Sequence, residues 1–265
     1  MNVYKLHKLL GVPYSTVYYW KMKKYMPLSK YRELLSTFRN TRDLDDCLVL
    51  PKTLYIKYGR SKKYVKAKLL INRDLGELLG LYISEGHYGS KEITITNSEF
   101  EILDRFRELC IRVFGLETKR NVNLNTPQEV LYSKTVSQIF RALGLDKKSF
   151  ETFLPPIFLK GNTDFLIGFL SGLMSGDGSV RILKGNRQQL TLITCSEKLA
   201  DQIIFIFKRL GITPNISKYF KHNRMHPMFQ IVISYKKDIE ALIAHSKSLG
   251  YKPEFLEAVE KVNEN

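Results

Sequence analysis

The stretch Leu78–Gly86 reads Leu-Leu-Gly-Leu-Tyr-Ile-Ser-Glu-Gly, and the rest of the chain is organised around it. It is short, apolar and helical in pattern, and it ends in a carboxylate followed by a glycine. A close copy, Leu-Ser-Gly-Leu-Met-Ser-Gly-Asp-Gly, occurs at Leu170–Gly178. Two such copies in one chain predict two related helices, each of which ends in an acid.

Small residues recur four positions apart in both copies. They are Gly80 and Ser84 in the first copy and Gly172 and Gly176 in the second. Small residues at positions i and i+4 let two helix backbones approach closely, whereas large side chains would separate them. We therefore expect the two helices to pack side by side and to bring Glu85 and Asp177 together at their ends.

The same order of elements follows each motif helix: two strands, a helix, two strands and a helix. Strands are predicted at Ile93–Thr96, Thr118–Asn125, Val130–Lys134, Ser179–Leu183, Leu190–Thr194, Ile216–Phe220 and Phe229–Tyr235. The pattern predicts an α+β fold with two αββαββα repeats, residues 73–163 and residues 164–265, related by a pseudo-two-fold axis. The hairpin after Gly86 has room for only a very short strand.

Two carboxylates at one site repel each other, and a bound cation offsets that repulsion. Mg²⁺ favours oxygen ligands, and it usually binds one or two carboxylates together with water and phosphate oxygens. A metal held in this way activates water for the hydrolysis of phosphodiesters. Two-fold placement of the acids would direct the chemistry to one phosphodiester on each strand of a duplex.

The two motifs resemble those of a single-chain LAGLIDADG homing endonuclease, and the resemblance covers residues 73–265. It implies that two four-stranded sheets form a saddle over DNA. It also implies that Glu85 and Asp177 are catalytic and bind the metal, Mg²⁺ or Mn²⁺ in its place, beside Gly86 and Gly178.

The family has further catalytic contributors, which the resemblance carries over by position. A polar residue that closes the second strand orders water, and here it is Asn97; Cys195 stands in the matching place of the second repeat. A basic residue after the third helix stabilises charge on the phosphate. It matches Lys252 in the second repeat and Lys147 or Lys148 in the first, of which we prefer Lys148.

Side chains on the two sheets of this family read bases in the major groove. By position, this implicates Arg181, Lys184, Arg187, Gln188 and Thr191 in the second repeat, and Tyr88, Lys91, Thr94 and Thr96 in the first. Each of these could equally be an ordinary exposed strand residue.

The bulk composition agrees with a nucleic-acid partner. The chain has 265 residues and 44% hydrophobic residues, and its formal net charge is +16. Its three cysteines are scattered, which argues against a disulfide framework and a zinc site. No signal core or membrane-spanning run is recognised, so we expect an intracellular protein. The two halves present in one chain imply a monomer without an obligate protein partner, and the resemblance implies that it acts on double-stranded DNA at a long, non-palindromic site.

The N-terminal part lies outside the resemblance. Residues 1–50 predict two short helices, the second capped by Ser15, with Val17 and Trp20 inside. This plan resembles a helix-turn-helix, in which Lys21 and Lys23 would face DNA. Residues 51–72 predict a basic linker, since 51–70 contain seven Lys or Arg, Lys62 and Lys63 among them, and no acid.

Two other functions remain open at this point. One is a transcription regulator that uses the same fold without catalysis, as WhiA-like proteins do, and the appended helices favour it. The other is a maturase that binds its own intron RNA, which the basic charge fits equally well. We expect an intron-encoded endonuclease more than an intein, because splicing needs a Cys or Ser at the start and a terminal His-Asn.

Overall fold

The computed structural model describes residues 3–23, 26–27, 29–30, 33, 55–58, 64–66, 70–122, 126–183, 187–220 and 226–239. The chain divides into two compact units, residues 1–56 and residues 57–265. The second unit therefore begins inside the stretch that was predicted to be a linker. Among the described residues, no helix is both long and apolar enough to cross a membrane.

The N-terminal unit contains two helices, α1 (Val3–Leu10) and α2 (Tyr14–Lys23). Gly11 lies between them with a φ of 58°, a left-handed conformation that favours glycine. Leu10, Val17 and Trp20 form a small buried cluster. Burial of Val17 and Trp20 confirms the predicted inner face of the second helix.

The start of α2 differs from the prediction. The backbone N–H groups of Thr16 and Val17 donate to the carbonyl oxygen of Pro13, at 3.0 and 3.2 Å. The helix therefore begins at Tyr14, and Ser15 lies inside its first turn and is not the capping residue. Two short strands, β1 (Tyr55–Ile56) and β2 (Val65–Lys66), follow in the chain.

Each repeat in the second unit has the predicted order of elements. The first consists of α3 (Arg73–Glu85), β3 (Gly86–Tyr88), β4 (Glu92–Thr96), α4 (Phe100–Phe114), β5 (Lys119–Asn121), β6 (Gln128–Tyr132) and α5 (Lys134–Ala142). A 3₁₀ turn (Ser149–Glu151) and α6 (Pro156–Leu159) lead to the second.

The second repeat consists of α7 (Thr163–Asp177), β7 (Gly178–Leu183), β8 (Arg187–Thr194), α8 (Glu197–Arg209), β9 (Asn215–Tyr219) and β10 (Met228–Ile233). Residues 236–239 are helical and begin the predicted last helix, most of which lies outside the described residues. The sheets have the equivalent orders β3-β4-β6-β5 and β7-β8-β10-β9, and their strand pairs are antiparallel. The predicted duplication is confirmed.

The two motif helices have matching boundaries. Asn72 caps α3 by accepting from the N–H of Leu75 at 3.1 Å, and Asn162 caps α7 by accepting from that of Phe165 at 2.9 Å. Each helix then passes directly into a strand, because the residue after the acid is the first strand residue. The acids therefore lie at helix–strand junctions without a connecting loop.

The two motif helices, α3 and α7, pack against each other at glycine positions. An added Cβ at Gly80 would collide with the backbone of Phe169 and Leu173, and one at Gly172 would collide with that of Glu77 and Leu81. Residues near both helix starts are in contact, as are residues near both ends, so the helices run in the same direction. The i, i+4 pattern of small residues thus predicted a real backbone-to-backbone seam.

Alternation along the strands gives each sheet an apolar face and a polar face. On the apolar faces, Ile93, Ile95 and Leu131 are buried in the first sheet, and Leu190, Leu192, Phe229, Ile231 and Ile233 in the second. The opposite faces carry mostly polar side chains. We call them the polar faces, and they consist mainly of His87, Thr94, Thr96, Lys119, Asn121, Gln128 and Tyr132 in the first sheet and Ser179, Arg181, Gln189, Thr191, Asn215, Ser217 and Gln230 in the second.

Candidate functional site

The C-terminal ends of α3 and α7 meet. A Cβ built at Gly176 would lie 3.0 Å from Cγ of Glu85 and would collide with the side chain of Ser84. Glu85 therefore lies against the residue that precedes Asp177. Glu85 is half-buried and Asp177 is exposed. The structure thus brings the two predicted acids into one neighbourhood, at the seam between the repeats.

Gly86 and Gly178 have a steric role at this junction. Their φ values, −84° and −82°, are open to any residue, so left-handed backbone is not the reason for glycine. Each backbone N–H closes its helix by donating to the carbonyl of Tyr82 or Met174, and a Cβ at either glycine would collide with that same carbonyl. Glycine lets the chain turn from helix to strand immediately after the acid.

The donor set at the seam fits a hard divalent cation. It offers one carboxylate from each repeat, which agrees with the one or two carboxylates of a Mg²⁺ site whose other ligands are water and substrate oxygens. Among the described residues, no group of three or more His, Cys, Asp or Glu side chains forms a dedicated protein cage. Such a site would depend on phosphate oxygens for its remaining ligands.

A cavity of about 280 Å³ opens beside the end of α3. Lys147 and Lys148 line it together with Gly86 and His87, so the structure brings both candidate lysines to the first acid's side of the site. Lys148 is exposed. The phosphate of a substrate that entered this cavity would meet cationic groups from the segment after α5.

Two tyrosines, Tyr82 and Tyr88, also line the cavity. The hydroxyl of Tyr82 donates to the carbonyl of Leu145 at 3.3 Å, and burial raises the pKa of Tyr82 well above its usual value, with Tyr88 and Asp146 raising it further. The hydroxyl of Tyr88 is buried and has no hydrogen-bond partner among the described residues. Tyr82 therefore stays neutral at neutral pH.

Asn97 lies in a turn that both repeats share. Its Oδ1 accepts from the backbone N–H of Glu99 at 2.8 Å, and Oγ1 of Thr194 accepts from that of Ser196 at 3.1 Å. The registers agree, because Gly86 pairs with Ile95 and Gly178 pairs with Leu192. The counterpart of Asn97 is therefore Thr194 and not Cys195, which the prediction placed one residue too late.

Tyr88 was predicted to lie on the sheet surface that reads bases, and this prediction is wrong. In the β3–β4 register, His87 pairs with Thr94, and Tyr88 pairs with the buried Ile93. Because paired residues share a face, Tyr88 points into the apolar side and His87 lies on the polar face, where it is exposed. Sequence reasoning missed His87 because a strand of three residues is too short for alternation to set its facing.

Arg181 is placed as predicted, exposed on the polar face of β7 and paired with Gln189. Gln188 pairs with Ile182, so the glutamine that shares a face with Arg181 is Gln189. The two neighbouring glutamines could not be distinguished without the register. Thr94 and Thr191 lie on the polar faces but are only 7% and 3% exposed. Both were predicted to read bases, which requires exposed side chains.

The remaining predicted residues divide into two groups. Lys21, Lys23 and Lys91 are exposed, and Thr96 is half-buried on the polar face. Lys62, Lys63, Lys184 and Lys252 lie outside the described residues, as do the side chains of Arg187 and Gln188. Polar-face residues that the sequence did not single out include Lys119, Gln128, Ser217 and Gln230. The alternation in β6 and β10 is the signal that could have found Gln128 and Gln230.

Comparison with known proteins finds a family match over part of the second repeat. Residues 164–245 match the family described as LAGLIDADG-like domain. The chain is 25% identical over 264 residues to the replication factor C small subunit of Methanocaldococcus jannaschii, covering 92% of this chain and 13% of that protein. It is 23% identical over 198 residues to an A-type ATP synthase subunit of Pyrococcus abyssi (74% and 19%), and 26% over 233 residues to a DNA polymerase of Thermococcus litoralis (78% and 13%). The chain spans less than a fifth of these relatives.

Solved structures resemble the chain at low sequence identity. Mesophilic variants of the homing endonuclease I-DmoI superpose with a TM-score of 0.51 at 16% identity, covering 73% of this chain and 98% of that chain. I-DmoI in complex with DNA and Ca gives the same values. Full-length DUF199/WhiA from Thermatoga maritima has a TM-score of 0.49 at 16% identity and covers 74% of this chain and 61% of that chain.

Proposed function

The chain has the LAGLIDADG fold and its residues 164–245 match a LAGLIDADG-like domain, and from this premise we propose that it is a site-specific, double-strand DNA endonuclease. The observation that carries the proposal is the meeting of the two motif helices at their acidic ends, where Glu85 lies against the residue before Asp177. A fold that only bound DNA would not require both repeats to deliver a carboxylate to that one point.

Glu85 and Asp177 would hold Mg²⁺, or Mn²⁺ in its place, beside the helix–strand junctions that Gly86 and Gly178 allow. When bound, such a metal supplies an activated water and stabilises the leaving oxygen of the phosphodiester. I-DmoI, a homing endonuclease of this fold, has been crystallised with DNA and Ca, which supports a divalent-metal site. The two acids belong to different repeats, so each strand of a duplex would be cut.

Cationic and polar groups of the chain complete the proposed chemistry. Lys148 would stabilise negative charge on the phosphate from the rim of the cavity, and Lys252 would have the same role in the second repeat. The amide nitrogen of Asn97 would orient water, since its Oδ1 is occupied in the turn. Tyr82 lines the cavity and stays neutral, because burial raises its pKa.

The polar faces of the two sheets are the proposed DNA-reading surface. Arg181, Gln189 and Gln230 present the donors and acceptors that bind base edges in the major groove. The formal net charge of +16 supplies the attraction to phosphates that does not depend on sequence. Because the repeats differ in sequence, the proposed target is long and non-palindromic, and one monomer suffices.

The range of relatives supports the proposal that this chain is encoded by a mobile genetic element. The chain matches small parts of a replication factor, a DNA polymerase and an ATP synthase, which are proteins of different function. A segment common to such different proteins is what the insertion of a mobile element would produce. Cleavage of an unoccupied copy of the insertion site is the activity that such an element needs.

Plasmid cleavage tests the proposal. The substrate carries the joined flanks of the gene's insertion site, or a randomised site library, and reactions contain Mg²⁺, Mn²⁺ or EDTA. We expect wild type to linearise the plasmid only with metal. Glu85→Gln and Asp177→Asn should each reduce the rate by at least about 100-fold. Glu101→Gln, a neutralisation of an exposed acid on α4, is the matched control and should cut normally.

The alternatives give different outcomes in the same experiment. A transcription regulator of this fold would bind a specific duplex tightly and would not cut it under any metal. A maturase would bind only folded intron RNA. Cleavage that persists in both Glu85→Gln and Asp177→Asn would contradict the assigned acids.

A further inference from the structure

The first 32 residues are unusually rich in both basic and aromatic side chains. They contain seven Lys or Arg, six Tyr and no Asp or Glu. Four of the tyrosines are described, and all are about half exposed: Tyr4, Tyr14, Tyr18 and Tyr19 are 53%, 50%, 49% and 50% exposed. Single exposed apolar residues are normal, whereas a contiguous exposed apolar patch marks an interaction site.

Three of these tyrosines and His7 form a continuous row, which we call the ring ladder: Tyr4, His7, Tyr14 and Tyr18. Their successive centroids are 5.6, 6.2 and 6.4 Å apart. The last two rings are nearly parallel, with an interplanar angle of 18°. The ladder crosses from α1 to α2, so the packing of the two helices fixes the spacing of its members.

The ladder is not part of the core of its unit. The core consists of Leu10, Val17 and Trp20, which are at most 8% exposed. The hydroxyls of Tyr14 and Tyr18 are not required by that cluster. His7 is half-buried and its Nδ1 lies 2.9 Å from the carbonyl oxygen of Val12, so this ring is held in place, whereas the three tyrosine rings lie outside the core.

Lysines accompany the exposed rings. Nζ of Lys8 lies 4.7 Å from the ring centroid of Tyr4, and Nζ of Lys23 lies 5.9 Å from that of Tyr19. Lys21 is also exposed on α2. Alternating cations and flat π-faces are the combination that binds a single nucleic-acid strand, because the cations follow the phosphates and the rings stack on bases.

We propose that the ring ladder is a binding site for single-stranded DNA. In a duplex, the faces of the bases are stacked on one another and only their edges are accessible in the grooves. An exposed aromatic ring can therefore gain stacking energy from unpaired bases only. The helix-turn-helix pattern predicts that Lys21 and Lys23 face a duplex, so a duplex and a single strand would share these lysines, and only the single strand would use the rings.

The proposed occupant is DNA because the larger unit is proposed to act on DNA, and to that extent the choice rests on the proposed function. Single strands arise wherever a cut duplex is unwound or resected. The ladder would hold such a strand near the protein after cleavage. Stacking itself does not depend on the metal or on the acids, so binding can be tested separately from cleavage.

The experiment measures fluorescence anisotropy of labelled oligonucleotides with the full-length protein in EDTA. The probes are an oligodeoxythymidylate of about 16 nucleotides, a duplex of the same length, and an oligouridylate. The variants are Tyr14→Ala/Tyr18→Ala, Tyr14→Phe/Tyr18→Phe and Lys21→Ala/Lys23→Ala. Emission of Trp20, the only tryptophan of the chain and a buried one, reports whether the N-terminal unit stays folded.

We expect the double alanine variant to bind the single strand at least about ten-fold more weakly, and the duplex within about two-fold of wild type. The phenylalanine variant should bind like wild type, since it keeps the rings. Salt dependence should be unchanged in both tyrosine variants but reduced in the lysine variant, because only the latter removes phosphate contacts.

Three results would overturn the proposal. They are an equal loss on single strand and duplex, a loss in the phenylalanine variant as large as in the alanine variant, and tighter binding of oligouridylate than of oligodeoxythymidylate. If Trp20 emission shifts in the double alanine variant, Tyr14→Ala alone is used, and wild-type affinity of that folded variant also counts against the proposal. None of these results depends on whether the protein cuts DNA.

Discussion

At the scale of single residues, the buried carboxylate of Glu129, which lies outside the site, needs hydrogen-bond partners to offset its loss of hydration. It is 0% exposed and lies on the side of β6 that faces α4. Nε of Arg120 donates to it at 2.8 Å and Nε of Arg107 at 3.1 Å, and the hydroxyl of Thr118 donates as well. A buried charge is tolerated because it is paired and fully hydrogen-bonded.

Glu129→Gln should therefore destabilise the protein by about 2 kcal/mol, less than a fully buried pair would cost, because Arg107 is 39% exposed and Arg120 keeps Asp104 at 2.8 Å. Glu108→Gln is the matched control. Its carboxylate pairs with Arg105 but is 56% exposed, so the cost should be below about 1 kcal/mol. Urea unfolding of the two variants provides the comparison, and similar losses in both would contradict the structural role of Glu129.

The buried thiol of Cys110 should make the protein less stable as the pH becomes alkaline. Its thiol is 0% exposed, and burial raises its pKa well above the usual value, with Glu129 raising it further. A raised folded-state pKa gives stability that is present below the pKa of the unfolded thiol and is lost as pH rises above it. Between pH 8 and 10, wild type should lose about 1–2 kcal/mol more than Cys110→Ala does. Parallel losses in urea unfolding at the two pH values would refute this.

At the scale of elements, the seam between α3 and α7 depends on the absence of side chains. A Cβ at Gly172 would lie 3.0 Å from the backbone carbon of Gly80 and would collide with the backbone of Glu77 and Leu81. Backbone atoms of a packed helix cannot move aside as the end of a flexible side chain can. The seam therefore fixes both the distance between the helices and the meeting of the acids at their ends.

Gly172→Ala should lower stability by about 3 kcal/mol and should reduce cleavage further, because it moves the two acids apart. Ser84→Ala is the control at the same seam. The hydroxyl of Ser84 donates within its own helix, to the carbonyls of Gly80 and Leu81 at 3.1 Å, so its loss should cost less than about 1 kcal/mol. Thermal unfolding and plasmid cleavage would be measured together, and equal effects of the two substitutions would exclude a tight seam.

The elements also explain how far the sequence alone could be interpreted. The repeats and the seam were predictable, because the i, i+4 spacing of small residues and the acid–glycine ends occur twice. The steric role of Gly86 was not, because it depends on where the carbonyl of Tyr82 lies when a helix passes directly into a strand. The register errors at Tyr88 and Cys195 have one cause: alternation cannot be counted in very short strands or across a turn, so each placement was off by one residue.

At the scale of the whole chain, the two repeats differ in how far their sheets extend. β7 and β8 have six and eight residues, whereas β3 and β4 have three and five. The short hairpin was predicted from the sequence, and it limits the first sheet's polar face. The first repeat carries the described part of the basic segment, where the N–H of Tyr58 donates to Oγ1 of Thr135 at 2.9 Å and Nζ of Lys66 donates to the carbonyl of Arg112 at 3.4 Å.

This asymmetry should appear in the DNA target. If both polar faces read bases, the longer second sheet contacts more bases than the first. Base substitutions in one half of the DNA target should therefore reduce cleavage more than substitutions in the other half. Arg181→Ala should weaken binding by about ten-fold and should relax the base preference within that stringent half only. Arg141→Ala is the control, because Arg141 is 65% exposed on α5 and lies outside both polar faces, and it should leave the preference unchanged.

The measurement is a cleavage screen over all single-base variants of the target, done for wild type and both protein variants at one salt concentration. Phosphate contacts change affinity equally for all targets, so only base contacts change the profile of cleavage rate against base position. A profile that is symmetric about the cut would contradict unequal reading by the two sheets. Relaxation by Arg181→Ala in both halves would contradict the placement of Arg181 on a face that serves only one half. Relaxation confined to the stringent half would assign that half to the second repeat and so orient the protein on its DNA.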